Sequence, residues 1–333
     1  MDAKAIVAST DRSIEYRNVH LPDPGADDLR ISTTYSGVSI GTETNLIRGT
    51  VSWGPYPICT GYQAVGTVEE VGENVSGFER GQTVYYRDNA PMKLDGGTSV
   101  TPASGTHCSM AVLDPDESHG VAPLPEGVPE QVASTFVMPA VGLNGVDKAN
   151  VRMGDTVIVH GTGLIGLGVV AASTHRGAEV IAVDLLGERL EVASVLGAEH
   201  LIDSSTDDLE AEIERIVPGG ADVVFEATGV ADCIDPAMSL CTSHGKFVFQ
   251  GDYGRNPISF DFGNAHEKHL TTYFPCNDGL EPGRRGVLRN MARGFLPWEE
   301  TITHTIRSEE GPGFYDGVLR DEVDGVIGAV LEW

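Results

Sequence analysis

Lysine is the scarcest charged residue in this chain: five lysines stand against 49 acidic side chains in 333 residues, and the formal charge is −27. A field of that sign repels nucleic acid and anionic membrane surfaces, so neither is expected as a partner. The acid is scattered rather than gathered in a tail, which speaks against a disordered acidic segment. A lysine-poor carboxylate surface suits a halophilic, salt-loaded cytoplasm, where ions screen the self-repulsion. Long apolar runs are also missing, since no stretch approaches the roughly 18 residues of a membrane helix. The opening "MDAKAIVASTDRSIEYRN" has neither the apolar core nor the cleavage site of a signal peptide, so cytoplasmic residence is expected. Cys59, Cys108, Cys233, Cys241 and Cys276 are odd in number and contain no CxxC pair, so reduced thiols are expected rather than disulfides or a structural zinc.

What is present is glycine and two different periods. From Ala3 to about Ala122, short alternating strands ("KAIVAS", "DLRISTTYSGV", "AVGTVEEVG", "QTVYYR", "CSMAVLD") are punctuated by Gly, Pro and Asp, which predicts a compact β-rich unit. The stretch "PEQVASTFVMPAVGLNGVDKANV" then has helical spacing. From "DTVIVHGTGLIG" onward, apolar strands alternate with helices: "TVIVHG", "LIGLGVVAASTHRG" stopping at Gly177, "EVIAVD", "LGERLEVASVLGA", "HLIDSS", "DLEAEIERIV", "ADVVFEATG", a helix near "CIDPAMSLC" and "GKFVFQGD". That alternation predicts an α/β fold with a doubly wound parallel sheet. The ending "GVIGAVLEW" reads as a closing strand of the first unit. The expected division is 1–138 with 277–333 for the β-rich unit and 139–276 for the doubly wound one.

"HGTGLIG" places Gly161, Gly163 and Gly166 in GxGxxG spacing. Gly161 allows the tight turn, Gly163 lets backbone approach a pyrophosphate, and Gly166 lets the helix pack on the strand. The backbone at Leu164 and Ile165 then directs N–H groups at the phosphates. The next strand ends in Asp184, which can accept from an adenosine ribose and would repel a 2′-phosphate, so NAD is expected over NADP. Arg189 opposes that choice, because a guanidinium there can pair with a phosphate.

A β-rich first unit, a Rossmann domain opened by "GDTVIVHGTGLIG" and a return segment together resemble the medium-chain dehydrogenase/reductase superfamily over essentially the whole chain. "YSGVSIGTET", "GYQAVGTVEEVG" and the ending look most like its branch containing the hydroxyethyl bacteriochlorophyllide dehydrogenases. The resemblance implies a GroES-like catalytic domain beside the Rossmann domain, a small-molecule substrate and a homodimer or homotetramer. It also implies where zinc ligands would stand. Zinc-dependent members have a cysteine at the position of Ile40, a histidine and a glutamate at Tyr62 and Gln63, and a third ligand in the stretch matching Phe136, Val137 and Met138. Their four-cysteine structural site matches Ala90 to Met110, where only Cys108 occurs. Isoleucine and methionine supply no donor of the kind zinc takes, so no metal is expected. A different site built from His107, Cys108 and His119 is left open.

Without zinc a protein donor must polarise the carbonyl or alkoxide during hydride transfer. Thr42 matches the proton-relaying hydroxyl of zinc members. Tyr62 can donate to a developing oxyanion, or fill the space zinc vacated as a pocket wall. Gln63 and Glu43 can bond a substrate hydroxyl or cap the turn in "GTET", Asn45 can contact cofactor or substrate or cap the loop, and His107 is the most plausible proton carrier among ten histidines. By resemblance, Ala227, Thr228, Gln250 and Gly251 flank the ribose and nicotinamide, and Tyr253 closes over the nicotinamide. The leading expectation is a zinc-independent, NAD-dependent oxidoreductase acting on a secondary alcohol, sugar or polyol or its ketone. Reduction of an enone or quinone, a net lyase or epimerase with tightly held NAD, and a non-catalytic NAD-binding protein are the alternatives.

Overall fold

The structure, a computed structural model, describes residues 1–118, 120–279 and 281–333. It divides into two units: Met1–Phe136, Met291–Arg293 and Ile302–Trp333 form the first, and Val137–Asn290 with Gly294–Thr301 the second.

The period-2 segments of the first unit become two β layers. Asp2–Ala8, Ile14–His20, Met92–Leu94, Ser99–Pro102 and Ile58–Cys59 close a small barrel. The other layer runs Val121–Pro123, Thr83–Tyr86, Ala64–Val71, Leu29–Val38, Gly328–Glu332, Ile302–Arg307, with Met110–Leu113 also paired to Leu29–Val38. Gly328–Glu332 lies antiparallel to Leu29–Val38, so the chain's last strand closes onto its third. Directly after Leu29–Val38 the chain turns into the helix Ile40–Arg48, which ends at Gly49 in the left-handed region. Its inner face carries Glu43, Leu46 and Ile47, the i, i+3, i+4 spacing of a helix packed on a core. Leu46 and Ile47 pack with Ile6, Val38, Ile58, Phe314 and Leu331, while Glu43 brings a carboxylate into the same buried face.

The second unit is the expected parallel sheet. In chain order its six strands are Thr156–His160, Glu179–Asp184, His200–Asp203, Ala221–Glu226, Cys241–Phe249 and Thr271–Tyr273, and in space they run third, second, first, fourth, fifth, sixth. Val157, Ile158, Val159, Val180, Ile181, Ala182 and Val183 are fully buried, as strands covered on both faces must be. The order reverses between Thr156–His160 and Ala221–Glu226, so a crevice for a ligand opens at their carboxyl ends, at His160 and Glu226.

Two expectations are corrected. The helical stretch after Pro129 is two helices, Glu130–Ala133 and Val137–Ala149, because Ser134, Thr135 and Phe136 turn the chain and Pro139 belongs in a first helical turn. The return to the first unit comes later than 277: the chain as far as Asn290, and Gly294–Thr301, stay with the second unit. The physical reason is Trp298, which is fully buried beside the helix Gly187–Val195. A buried indole in an aperiodic stretch leaves no sequence period to detect. Trp298→Ala is expected to lower the stability of the second unit by about 3–5 kcal/mol, read as a lower urea midpoint, with the first unit's transition unmoved.

Candidate active site

At the crevice of the second unit, Gly161 adopts φ 95° and accepts close approach by Thr228, while a Cβ on Gly166 would lie 1.9 Å from the Gly161 carbonyl oxygen. Gly163 is the N-cap of the helix Leu164–His175, and a Cβ built on it meets no atom within 4 Å. That open face, with first-turn N–H groups at Leu164 and Ile165 that have no intrahelical acceptor, fits a pyrophosphate.

Asp184 is placed differently from expectation. It is buried, and its Oδ2 accepts from the Thr162 N–H at 2.7 Å and the Thr162 hydroxyl at 3.0 Å. Its Oδ1 accepts from the N–H groups of Leu185 at 2.8 Å and Leu186 at 3.1 Å. All four lone-pair directions are in use, so the carboxylate first braces the glycine loop and a ribose hydroxyl must share an oxygen already bonded. Arg189 stands 3.8 Å from Asp184 and offsets part of its charge.

The loop after the fourth strand is tied to a second buried carboxylate. Glu226 accepts from the Thr228 N–H at 2.9 Å, from the Thr228 hydroxyl and from the Tyr253 phenol. Tyr253 is thus held by Glu226, and burial, with Glu226 beside it, raises its pKa strongly. Ala227 donates its N–H to the His160 carbonyl, and Gly251 lets the fifth-strand loop pack on Gly229. Gln250 turns inward, its Nε2 toward the Val141 carbonyl at 3.4 Å and its Oε1 against Gly145, so its side chain faces the helix Val137–Ala149. His160 was missed by sequence reasoning. It is buried, its Nδ1 has no partner among the described residues, and burial lowers its pKa against the opposing pull of Glu226 and Asp184. A histidine preceding the first glycine of the motif was the available signal.

In the first unit, the start of the helix Ile40–Arg48 gathers hydroxyls. Tyr62 is 8% exposed, and its phenol donates to Ser39 Oγ at 2.5 Å. Burial pushes the Tyr62 pKa up to about 12, and Glu43's charge adds to that, against the neighbouring hydroxyls of Ser39 and Thr42 and the charge of Arg87. Arg87 donates through Nε to the Tyr62 carbonyl at 3.1 Å and lies 5.5 Å from the ring centroid; it is the cation that sequence reasoning did not place. Even with it, Tyr62 keeps its proton at neutral pH and acts as a donor. Ser39 is the helix N-cap, yet its side chain makes no capping bond. A serine there ordinarily contributes about 1 kcal/mol by capping, so its engagement with Tyr62 replaces a local stabilisation.

Glu43 organises the floor beneath these groups. Its Oε1 accepts the Ser39 N–H at 2.8 Å, and its Oε2 accepts from His107 Nε2 at 2.8 Å and from the Tyr315 phenol. His107 Nδ1 faces the Ser36 hydroxyl at 2.8 Å, and Trp333 Nε1 donates to the same Ser36 oxygen at 2.7 Å. The indole proton leaves Ser36's own proton for Nδ1, which assigns the His107 tautomer with hydrogen on Nε2. His107 is fully buried and bonded at both nitrogens, so it is part of this frame and not a proton carrier exchanging with solvent. Gln63 is likewise fully buried, its Nε2 packed against Gly37, and does not present an amide to a substrate. Asn45 Oδ1 accepts from the Thr50 hydroxyl at 3.0 Å, the loop-capping role.

Among the described residues no group of three His, Cys, Asp or Glu side chains is arranged to hold a metal ion. Ile40 packs into the core, and Phe136, Val137 and Met138 are buried. Of the other set considered, His107 has both nitrogens engaged, Cys108 is buried with its pKa pushed up to about 12, and His119 lies outside the described residues. Glu43→Ala is expected to destabilise the first unit by about 3–5 kcal/mol, because it strands buried donors, whereas Asn45→Ala costs about 1 kcal/mol or less; urea denaturation distinguishes them.

Comparison with known proteins agrees with this geometry. The alcohol dehydrogenase GroES-like domain family matches residues 25–126, and the zinc-binding dehydrogenase family matches residues 165–278. An alcohol dehydrogenase of Cupriavidus necator is 27% identical, covering 97% of each chain, and sorbitol dehydrogenase 1 of Saccharomyces cerevisiae is 28% identical, covering 78% of each. A solved structure from Sinorhizobium meliloti 1021, described as a zinc-binding dehydrogenase bound to NADP, shares the fold with a TM-score of 0.85 at 22% identity over 100% of both chains. With a GroES-like β unit, a Rossmann unit and these family matches in that order, the chain belongs to the medium-chain dehydrogenase/reductase superfamily.

Proposed function

We propose that this protein is a zinc-independent, NAD-dependent oxidoreductase that interconverts a secondary alcohol, sugar or polyol with its carbonyl compound. One observation carries the zinc-free part. Where zinc members hold ligands, this chain has Ile40, Tyr62, Gln63 and the apolar Phe136–Met138 stretch, and there the Tyr62 phenol donates to the Ser39 hydroxyl at the start of the helix that carries Thr42. The oxidoreductase part is supported by the superfamily and by relatives named as alcohol and sorbitol dehydrogenases.

The bound nicotinamide supplies or accepts hydride. Gly163 and the N–H groups of Leu164 and Ile165 would hold its pyrophosphate, and exposed Leu185, Leu186 and Val230 at the sheet's carboxyl edge offer apolar faces to a purine. On the substrate side, these hydroxyls bind the oxygen that gains negative charge as hydride arrives. A preorganised, partly desolvated donor of this kind stabilises an oxyanion more than water does, with each donor contributing a factor of about 10²–10³ in rate.

The cofactor preference rests on Asp184, whose negative charge at the strand end disfavours a 2′-phosphate. Its saturation by Thr162, Leu185 and Leu186, and the nearness of Arg189, favour a second reading in which NADP is also accepted. Fluorescence titration is expected to give NADH a tenfold or greater advantage over NADPH, about 1.4 kcal/mol. The opposite order, with selective loss of NADPH binding in Arg189→Ala, would establish the second reading.

Turnover is tested on acetone, acetoin, cyclohexanone, dihydroxyacetone and benzaldehyde, their alcohols, 2-cyclohexenone and benzoquinone, at low and molar salt after metal analysis. Carbonyl reduction without bound zinc is the expected result. Stoichiometric zinc would defeat the zinc-free reading, turnover confined to the enone or quinone would reassign the reaction, and cofactor binding with no turnover would favour a non-catalytic protein. As a donor with its pKa near 12, Tyr62 should impose no rising limb near pH 10 on alcohol oxidation. A limb that Tyr62→Phe abolishes would make it a base instead.

A further inference from the structure

His160 ends the strand Thr156–His160 at the carboxyl edge of the parallel sheet, between the strands Glu179–Asp184 and Ala221–Glu226. Side chains alternate along a strand, so His160 shares a face with Ile158 and, through the register, with Val183 and Glu226. Behind it that face is apolar, through Ile158, Val183 and Val224. An imidazole at the outer end of such a face is expected to bond a neighbour, and this one bonds none.

His160 is 8% exposed, and its Nδ1 is sealed in with no partner among the described residues. Nε2 has no partner among them either, but it is not sealed in, so it is the ring's open end toward the crevice. The two neighbouring carboxylates are engaged elsewhere: Asp184 with Thr162 and the backbone after it, Glu226 with Thr228 and Tyr253. An orphaned buried N–H is rarer than an orphaned lone pair, which assigns the ring proton to Nε2. Burial lowers the pKa against the pull of Glu226 and Asp184, so the ring is neutral at pH 7. What remains is one unspent N–H donor at the open end.

The residues leaving the two flanking strands are apolar and exposed, Leu185 and Leu186 on one side and Val230 on the other. A charged phosphate gains nothing from such walls, whereas a flat heterocycle buries both faces on them and needs a donor only at its edge. Adenine has that form, with acceptor nitrogens in its rings. We propose that His160 is a cofactor-binding residue that reads the adenine of the dinucleotide, its Nε2 N–H donating to a ring nitrogen. This deepens, and rests on, the dinucleotide-binding reading above. In the free protein the unbonded imidazole is a local cost, and the bound purine relieves it.

The test is calorimetric titration with ADP-ribose, which carries adenosine and pyrophosphate but no nicotinamide. His160→Leu keeps bulk and removes the donor, and it is expected to weaken ADP-ribose about 3- to 10-fold, the range for one hydrogen bond. His160→Gln, which retains an N–H donor, should stay within about twofold. A structural role predicts a lower urea midpoint for His160→Leu; a binding role predicts one equal to or above wild type, since an unbonded polar atom leaves an apolar face. If His160→Leu does not fold, ¹⁵N-histidine spectra of the wild type, assigned with His160→Gln, carry the test: the ring should read as the neutral Nε2–H form, and Nε2 should shift when ADP-ribose is added. Comparison of ADP with 2′-deoxy-ADP locates the acceptor. An equal His160→Leu loss for both supports the ring nitrogen, and a loss confined to ADP would overturn it in favour of the ribose hydroxyl. Unchanged ADP-ribose affinity in folded His160→Leu, or an Nε2 unmoved by ligand, would overturn the inference and leave dinucleotide binding standing. A wild type that binds neither ADP-ribose nor NADH would overturn both.

Discussion

The buried carboxylate of Glu43 is the constraint on which the first unit's chemistry depends. A fully desolvated charge costs several kcal/mol unless its lone pairs are met, and here donors arrive from three places far apart in the chain: the Ser39 backbone, His107 and Tyr315. Meeting those demands forces the segment before Met110–Leu113 and the C-terminal helix Gly311–Leu319 to converge on the start of Ile40–Arg48. Trp333, the last residue, extends the same chain of bonds through Ser36 to His107. The network does not touch substrate in this account. It fixes where Ser39 stands, and Ser39 in turn receives Tyr62.

On the proposed zinc-free reading, the consequence is a change in the kind of catalytic group. A zinc ion polarises an oxygen with a concentrated charge and tolerates small errors in substrate placement. A hydroxyl donor acts only along its hydrogen-bond directions, so it needs a rigid frame to be worth comparable energy. The features that looked separate in the sequence belong together on that reading: without ligands at Ile40 and Tyr62, activity would require that something hold the replacement donors still, and the bonds of Glu43 to Ser39, His107 and Tyr315 would supply that frame.

Sequence reasoning reached the parallel sheet, the glycine turn and the closing strand because each carries a local period or a steric demand: fully apolar strands, a Gly161 at positive φ, an alternating ending. It reached Tyr62 and Thr42 because they occupy positions with an assigned chemistry in the resembling family. Ser39 was not reached, since a serine before a helix reads as an ordinary cap, and only coordinates reveal that the cap bond is absent. His107 was taken for a proton carrier because residue type was visible and burial was not. The boundary after 277 was misplaced for a similar reason: Trp298 holds its segment by packing, which has no periodic signature.

Asp184 shows the same limit at the cofactor end, where its position was legible and its partners were not. Four internal bonds make it a brace for the loop before Leu164–His175, so the phosphate cradle is held in shape before any ligand arrives. Preorganisation of that kind lowers the ordering cost of binding for any dinucleotide, whichever ribose it carries. On the proposed reading, discrimination would then come chiefly from the rim, the charge of Asp184 against that of Arg189. Affinity and selectivity would, on that reading, be set by different residues: the glycine loop with Thr162 for the first, and the balance at Arg189 for the second.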